Sequence, residues 1–180
     1  MNHDTCVERF LKRVETEGNK PAYHVKKEGV YTAYTWAQVG QKVESFAKGL
    51  ISMGFREGDA LAILSYNRPE WLWAAMAAQA SHGSCAGIYS SCSPEEVAYV
   101  LGHCEAPFVV VENGKRYREQ IKPILSKLPN LKKVILMDPD DIVGSEQVMT
   151  FDEVLSKGST MNSKVFSDRV SRIKPEGVAS

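Results

Sequence analysis

The sequence has no excess of positive charge that would favour nucleic acid. It also has no apolar run long enough to span a membrane and no predicted secretory signal. Its 22 basic and 22 acidic residues give a formal net charge of zero, so the composition predicts neither a basic groove for nucleic acid nor attraction to anionic lipid. The longest apolar run lies between Trp71 and Ala80, about half of the roughly 20 residues that a membrane-spanning helix needs. Residues 1–6 have neither a basic start nor an apolar run, so no secretory signal is predicted. We therefore expect a soluble, cytoplasmic protein.

The sequence also lacks a cysteine framework. Its four cysteines are Cys6, Cys85, Cys92 and Cys104. Their spacing is irregular and no export signal accompanies them, which favours reduced thiols. His82 and His103 lie in the same stretch as the last three cysteines and raise a metal site as an alternative, but the spacings differ from the short paired-ligand knuckles of structural zinc. Since Cys85 falls within a predicted strand, we expect buried structural thiols and no metal site.

Cys92 is the best candidate for a reactive thiol. It precedes Ser93, which is predicted to begin a helix whose dipole would favour a thiolate. No histidine partner can be assigned to it from the sequence, so a turn residue without a catalytic role is the favoured interpretation. His3, in the amino-terminal segment, and His24, in a predicted strand, also lack a recognisable catalytic neighbour.

No glycine-rich phosphate-binding motif of the Gly-x-Gly-x-x-Gly or Gly-x4-Gly-Lys-Ser/Thr type is present. The two short runs that resemble such motifs are Gly114-Lys115 and Lys157-Gly158-Ser159-Thr160. We expect neither run to lie between a strand and a helix that together aim backbone amides at a phosphate. The sequence therefore predicts no phosphate-binding loop and no cofactor-binding residue.

Residues 1–35 predict a separate entry module. Thr5 and Glu8 form a capping-box pattern that begins a short first helix. Two runs rich in β-forming residues, Ala22–Lys26 and Val30–Thr35, then predict a two-stranded hairpin. We expect this helix and hairpin to precede the main core.

Between residues 36 and 138 the pattern alternates between helices and short apolar strands. Strands are predicted near residues 60, 85, 108 and 134, with helical segments between them. This alternation is typical of a parallel sheet with right-handed crossovers, so the predicted fold class is α/β, a largely parallel sheet flanked by helices. Pro123 is expected to kink the last of these helices.

The pattern weakens over residues 139–180. An acidic, turn-rich loop begins this segment, and Thr150 with Glu153 predicts one short capped helix. The remainder is expected to be irregular.

Three blocks of the sequence resemble a known family. They are Gly54-Phe55-Arg56-Glu57-Gly58-Asp59, Asn67-Arg68-Pro69-Glu70-Trp71 and Ser93-Pro94-Glu95-Glu96-Val97-Ala98-Tyr99. In this order and at these separations they resemble the amino-terminal portion of the adenylate-forming, or AMP-binding, acyl-CoA synthetases. Ser90 and Ser91 replace the commoner proline and threonine, and this variant resembles the long-chain fatty acid CoA ligase branch.

The resemblance implies a ligase that works in two half-reactions. A fatty acid carboxylate attacks the α-phosphate of ATP to give an acyl-adenylate and pyrophosphate, and the thiol of coenzyme A then displaces AMP. In this family the reacting groups are held, with magnesium, by a Ser/Thr/Gly-rich loop, an acidic motif, a ribose-binding aspartate and a lysine. None of these has a counterpart in residues 1–180. The resemblance thus implies ATP, magnesium and coenzyme A for the full-length enzyme, but no catalytic, cofactor-binding or metal-binding residue in this chain.

The segment Ile173–Ser180 resembles the lead-in to the family's phosphate loop. We therefore expect a fragment that is inactive alone, whose partners are the remainder of the ligase chain and, in the full enzyme, a fatty acid; peripheral membrane contact of that enzyme is left open. The alternative is a stand-alone module of the same ancestry that binds a fatty acid or a partner ligase without catalysis. An unrelated α/β nucleotide binder is disfavoured because no phosphate loop is present.

The helix predicted from Pro69 toward Gly83 is apolar on nearly all sides. A buried core helix is the favoured interpretation, and a wall of a fatty-acyl tunnel is the alternative. Just before it, Arg68 and Glu70 are expected to fix the turn from strand to helix rather than to contact substrate.

A fragment of this kind would leave exposed the face that packs against the rest of the enzyme. We predict that the 180-residue chain self-associates or binds an apolar dye. Sedimentation and dye fluorescence measure these two properties, and a monodisperse monomer that binds no dye would contradict the prediction.

Overall fold

The structure, a computed structural model, describes residues 4–142 and 145–177, with the side chain of residue 27 left out. A capped helix and a hairpin come first. In helix α1 (Cys6–Glu17) the hydroxyl of Thr5 accepts from the amide of Glu8 at 3.1 Å, and the Glu8 carboxylate accepts from the amide of Thr5 at 2.7 Å. Strands β1 (Pro21–Lys27) and β2 (Val30–Thr35) then pair antiparallel. The predicted helix and hairpin are confirmed.

A five-stranded sheet forms the centre of the fold, with the strand order β4-β3-β5-β6-β7. Its strands are β3 (Ala60–Leu64), β4 (Ser84–Ile88), β5 (Phe108–Asn113), β6 (Lys133–Asp138) and β7 (Val148–Thr150). Every neighbouring pair is parallel. The α/β class and the four strands predicted near residues 60, 85, 108 and 134 are confirmed, and β7 is an addition.

Helices cover both faces of this sheet. They are α2 (Trp36–Ser52), α3 (Pro69–Ala80), α4 (Pro94–His103), α5 (Gly114–Arg116), α6 (Phe151–Ser159) and α7 (Lys164–Val170). After α5 the chain continues through a π-helical turn (Tyr117–Ile121) and a 3-10 segment (Lys122–Lys127). This change of helix type agrees with the predicted kink, because Pro123 donates no backbone hydrogen bond and its ring obstructs a regular α-helix.

Successive strand residues enter two different cores, because side chains alternate across a strand. Leu61 and Ile63 of β3 pack into the layer that contains α1, α2, α3 and α6. Ala62 and Leu64 pack into the layer formed by α4 and the helical segment 114–127. The sheet is therefore buried on both sides, as parallel sheets require.

The chain beyond residue 138 is more regular than the sequence predicted. The predicted cap is confirmed, since the Thr150 hydroxyl accepts from the amide of Glu153 at 3.1 Å at the start of α6. However, β7 extends the sheet and α7 follows α6, so the expectation of an otherwise irregular segment was wrong. These elements span three and seven residues, too few for a periodic pattern to be recognised. The division into parts at residues 1–35, 36–138 and 139–180 stays a prediction.

Helix α6 packs against α2 at a contact where both backbones need glycine. A Cβ atom on Gly158 would lie 1.7 Å from the carbonyl oxygen of Ser45, and one on Gly49 would lie 2.3 Å from the carbonyl oxygen of Val154. Beside this contact the rings of Phe46 and Phe151 stack with their centroids 4.1 Å apart.

Replacing Gly158 tests this contact. We predict that Gly158→Ala lowers the free energy of unfolding by about 3 kcal/mol, because the new methyl group collides with backbone that no rotamer change can move. Gly102→Ala is the matched control, since nothing lies within 4 Å of a Cβ there and alanine favours the helix, so stability should rise by about 0.5 kcal/mol. Urea unfolding measures both, and equal stabilities of the two variants would contradict the packing.

Candidate functional site

The candidate site lies where strands β3, β4, β5 and β6 end, which we call the carboxyl edge. Ligands of open parallel α/β sheets bind in the crevice outside the carboxyl ends of the strands. Two tyrosines stand exposed there, Tyr66 just after β3 at 62% and Tyr89 just after β4 at 81%. Because β3 and β4 are neighbours in the sheet, these two aromatic side chains belong to one surface.

Arg116 organises the polar part of this edge. Its Nε lies 2.5 Å from the Glu112 carboxylate, and its Nη1 donates to the carbonyl of Ser90 at 2.7 Å and to the Gln120 side chain at 3.1 Å. The guanidinium carbon lies 4.8 Å from the centre of the Tyr66 ring, a cation–π distance. One side chain thus joins the chain after β5 to the loops that follow β3 and β4.

Gln120 fixes the loop after β4 from the same helical segment. Its side-chain amide donates to the carbonyls of Ser90 at 3.3 Å and Cys92 at 2.7 Å. Gln120 is 8% exposed, so these bonds satisfy a buried polar group. The loop that carries Tyr89 is therefore held by side chains rather than left free.

At the carboxyl edge the pKa of Arg116 is raised and the pKa of Tyr66 is lowered. Hydrogen bonds from Ser90 and from Arg116, with the charge of Arg116, hold the pKa of Tyr66 below its usual value. Burial works against the charge of Arg116, but the hydrogen bond and charge of Glu112 outweigh it and raise the pKa of Arg116. The edge can therefore donate hydrogen bonds from a permanent cation and an exposed phenol, and it offers two aromatic faces for stacking.

A second ion cluster closes the same edge. Arg68 Nε lies 2.7 Å from the Glu70 carboxylate, and both terminal nitrogens of Arg68 bond the carboxylate of Asp138 at the end of β6. The bond to Asp138 and then that to Glu70 raise the pKa of Arg68. The predicted role of Arg68 and Glu70 in the turn before α3 agrees with this geometry, and Asp138 is a partner that the sequence did not reveal.

The cysteines and histidines considered from the sequence do not converge on one site. Cys85 is buried, which raises its pKa to about 11, and burial also raises the pKa of Cys104. Cys92 is half-buried and packs against the α4 layer. The ring of His103 stacks on Tyr99 at 5.8 Å. Among the described residues no group of three or more His, Cys, Asp or Glu side chains could hold a metal ion.

The remaining histidines and Cys6 lie elsewhere. His82 Nδ1 is 3.3 Å from the Glu57 carboxylate at the opposite edge of the sheet, outside hydrogen-bond geometry. Cys6 is exposed on α1 and His24 is exposed on β1. His3 lies outside the described residues.

Both runs that resembled phosphate loops contain a glycine that contacts other parts of the chain. The expectation that Gly114 lacks a preceding strand and a following helix was wrong, because it follows β5 directly and begins α5. Its amide nevertheless donates to the Asp140 carboxylate at 3.1 Å, and the Asn113 side chain caps the amide of Arg116. Gly158 lies inside α6 against α2. The amide of Gly114 is therefore already bonded, and Gly158 lies at a helix–helix contact rather than at a helix start.

Helix α3 is a core helix on most of its surface. Its buried residues are Trp73, Ala74, Ala75, Ala77, Ala78 and Ala80. Leu72 is 42% exposed and Met76 is half-buried, and these two face α1 and the hairpin. The favoured interpretation of a buried helix agrees with this pattern.

Comparison with known proteins decides the family. The profile of the family described as AMP-binding enzyme matches residues 10–179. The chain belongs to this family. The resemblance to adenylate-forming acyl-CoA synthetases inferred from the three sequence blocks is therefore confirmed.

Relatives within the AMP-binding family point to its fatty acid branch. The chain is 28% identical over 171 residues to the long-chain-fatty-acid–CoA ligase ACSBG1 of Bos taurus, covering 95% of this chain and 23% of that protein. It is 34% identical over 135 residues to the long-chain-fatty-acid–CoA ligase heimdall of Drosophila melanogaster, covering 73% of this chain and 20% of that protein. The chain thus spans about a fifth to a quarter of the length of these relatives.

A solved structure shares the fold of this chain. The acetoacetyl-CoA synthetase of Streptomyces lividans superposes with a TM-score of 0.73 at 20% identity, covering 83% of this chain and 24% of that one. This likeness concerns the fold alone.

Across residues 4–142 and 145–177 no helix has the length and apolarity to cross a membrane.

Sequence reasoning missed the cluster around Arg116, although a signal was present. Arg116 and Gln120 are four residues apart, the spacing at which side chains meet on one helical face, and Glu112 lies just before them at the end of β5. Their partner Ser90 belongs to another loop 26 residues away, and only the fold shows that contact. The prediction that this chain of the AMP-binding family carries no catalytic residue remains open.

Removing Arg116 tests whether it holds the carboxyl edge together. Arg116 and Glu112 are each 16% exposed, so Arg116→Ala strands the Glu112 carboxylate and the side-chain oxygen of Gln120, and we predict a loss of about 2 kcal/mol in the free energy of unfolding. Arg118→Ala is the matched control, because its pair with Asp141 is exposed and should contribute little. Chemical denaturation measures the difference, and similar losses would show that Arg116 is not a structural centre.

Proposed function

We propose that this chain forms part of a ligase that activates long-chain fatty acids in the cytoplasm. The fatty acid carboxylate displaces pyrophosphate from the α-phosphate of ATP to give an acyl-adenylate, and the thiol of coenzyme A then displaces AMP to give acyl-CoA. The observation that carries the proposal is the family match over residues 10–179, together with curated relatives named as long-chain-fatty-acid–CoA ligases.

Within the part of the chain that the structure describes, the residues do not fit the groups that the reaction needs. The described residues contain no cluster that could hold magnesium, and the amide of Gly114, which stands between a strand and a helix, is bonded to Asp140. No step of the chemistry is therefore assigned to these residues. We propose that the chain contributes a scaffold and a surface, and that the 180 residues alone do not catalyse adenylation.

The surface that fits this role is the carboxyl edge. Arg116 and Gln120 hold the loop after β4, and Arg68 ties the start of α3 to the end of β6. Tyr66 and Tyr89 stand exposed on this rigid base. Exposed aromatic side chains on a fixed frame are suited to pack against a partner or a ligand, because little conformational entropy is lost.

Exchange of pyrophosphate into ATP tests the proposal. With palmitate present, we expect no exchange from the 180-residue chain. We expect clear exchange from a longer protein in which this sequence continues past Ser180 into the rest of a ligase. Exchange by the short chain would refute the scaffold role. A longer protein that folds but adenylates no fatty acid would refute the ligase assignment.

Tyrosine variants of that longer protein test the surface. We predict that Tyr89→Ala lowers the exchange rate about tenfold, a change of about 1.4 kcal/mol in the barrier, because an aromatic contact at the edge is lost. Tyr99→Ala is the matched control, since Tyr99 is 71% exposed on α4 and stacks on His103 instead. Equal rates for both variants would exclude the edge as a working surface.

A further inference from the structure

An apolar groove of about 400 Å³ lies between α1, the hairpin and helices α2 and α3. Its volume falls in the range of small-molecule pockets. Its lining is mostly apolar and includes Phe10, Trp36, Val39, Val43, Leu72 and Met76. This groove is separate from the ion clusters of the carboxyl edge.

Two arginines stand on one wall of the apolar groove. Arg9 and Arg13 are exposed on α1, four residues apart and so on the same face of that helix. Arg13 Nη1 lies 2.5 Å from the Glu17 carboxylate, while no ion pair of Arg9 is found within the described part of the chain. The hydroxyl of Tyr23, the other polar group of the lining, accepts from Trp73 Nε1 at 2.7 Å. No described Asp or Glu lines the groove, so its charge is positive and its floor is apolar.

We propose that the apolar groove binds a fatty acid, with the acyl chain along the floor and the carboxylate at Arg9 and Arg13. Each methylene removed from water adds to the affinity, and guanidinium groups pair well with carboxylates. A fatty carboxylate combines these two properties in one molecule.

A second copy of this chain fits the apolar groove less well. In a two-fold symmetric contact the same patch meets itself, so each copy would bring its own Arg9 and Arg13 toward those of its partner. Like charges brought together in a contact are unfavourable. A single-chain anion meets no such repulsion.

The groove adds a binding site to the proposed ligase role and needs neither ATP nor coenzyme A. Tyr23 and Leu72 line both the groove and a shallower depression that reaches Asn67 and Arg68, just after β3. A fatty acid in the groove would therefore lie beside the carboxyl edge, outside the two ion clusters described there.

Three ligands of equal chain length test the charge requirement on the 180-residue chain. Dodecanoate, the neutral 1-dodecanol and cationic dodecyltrimethylammonium are titrated below their micellar concentrations, with calorimetry and tryptophan fluorescence as readouts. We expect dodecanoate to bind, dodecanol to bind about tenfold more weakly, and the cation to bind more weakly still. Because Trp36 lines the groove, Trp36→Phe should reduce the fluorescence response to dodecanoate. Equal affinity for the three ligands, or no binding, overturns the proposal.

Variants locate the site. Arg9→Gln combined with Arg13→Gln should weaken dodecanoate about tenfold and leave dodecanol unchanged. Lys12→Gln is the matched control, because Lys12 is exposed on the same helix but does not line the groove. Leu72→Glu, at a half-exposed position, should abolish dodecanoate binding while circular dichroism shows the fold intact.

Other occupants give different results. If the chain dimerises, Leu72→Glu abolishes the dimer and dodecanoate does not bind, then the groove is a protein interface and the proposal is wrong. If Lys12→Gln weakens binding as much as the paired arginine variant, the groove is also excluded. Dodecanoate binding together with an inactive longer protein would reject the ligase proposal and retain the groove.

Discussion

The structure depends on the burial of strand β3 between two neighbours and two layers. All five residues of β3 are buried, and the strand pairs with β4 on one side and β5 on the other. Its side chains alternate between two cores, so Leu61 and Ile63 anchor α2 and α3 while Ala62 and Leu64 anchor α4. The loop after β3 is therefore held at a fixed position, and so are Tyr66 and Arg68, which lie in that loop.

Much of the fold followed from local chemistry, because helix caps and short apolar strands leave readable patterns. Capping-box pairs predicted the starts of two helices, at Thr5 with Glu8 and at Thr150 with Glu153. Four of the five strands of the central sheet were also predicted. Strand β7 was missed because three residues carry no periodicity. The position of Gly114 was misjudged, although the preceding strand and the following helix had both been recognised.

The site was harder to predict than the fold, because its contacts join residues that are distant in sequence. Arg68 meets Asp138 across 70 residues, and Arg116 meets Ser90 across 26. A sequence can show that these residues are polar and follow strands, but the parallel order of the sheet decides which of them meet. The apolar groove is similar, since α1, β1, α2 and α3 each contribute only a few of its side chains.

The glycine contact between α2 and α6 also constrains how the chain is made. Gly49 of α2 packs against α6, and Gly158 of α6 is synthesised 109 residues after Gly49. At about 5–20 residues per second, translation leaves the apolar face of α2 without that cover for roughly 5–20 s. During this interval Phe46 lacks the aromatic ring of Phe151 on which it later stacks. The nascent chain therefore exposes a hydrophobic face of α2 until α6 emerges and packs against it.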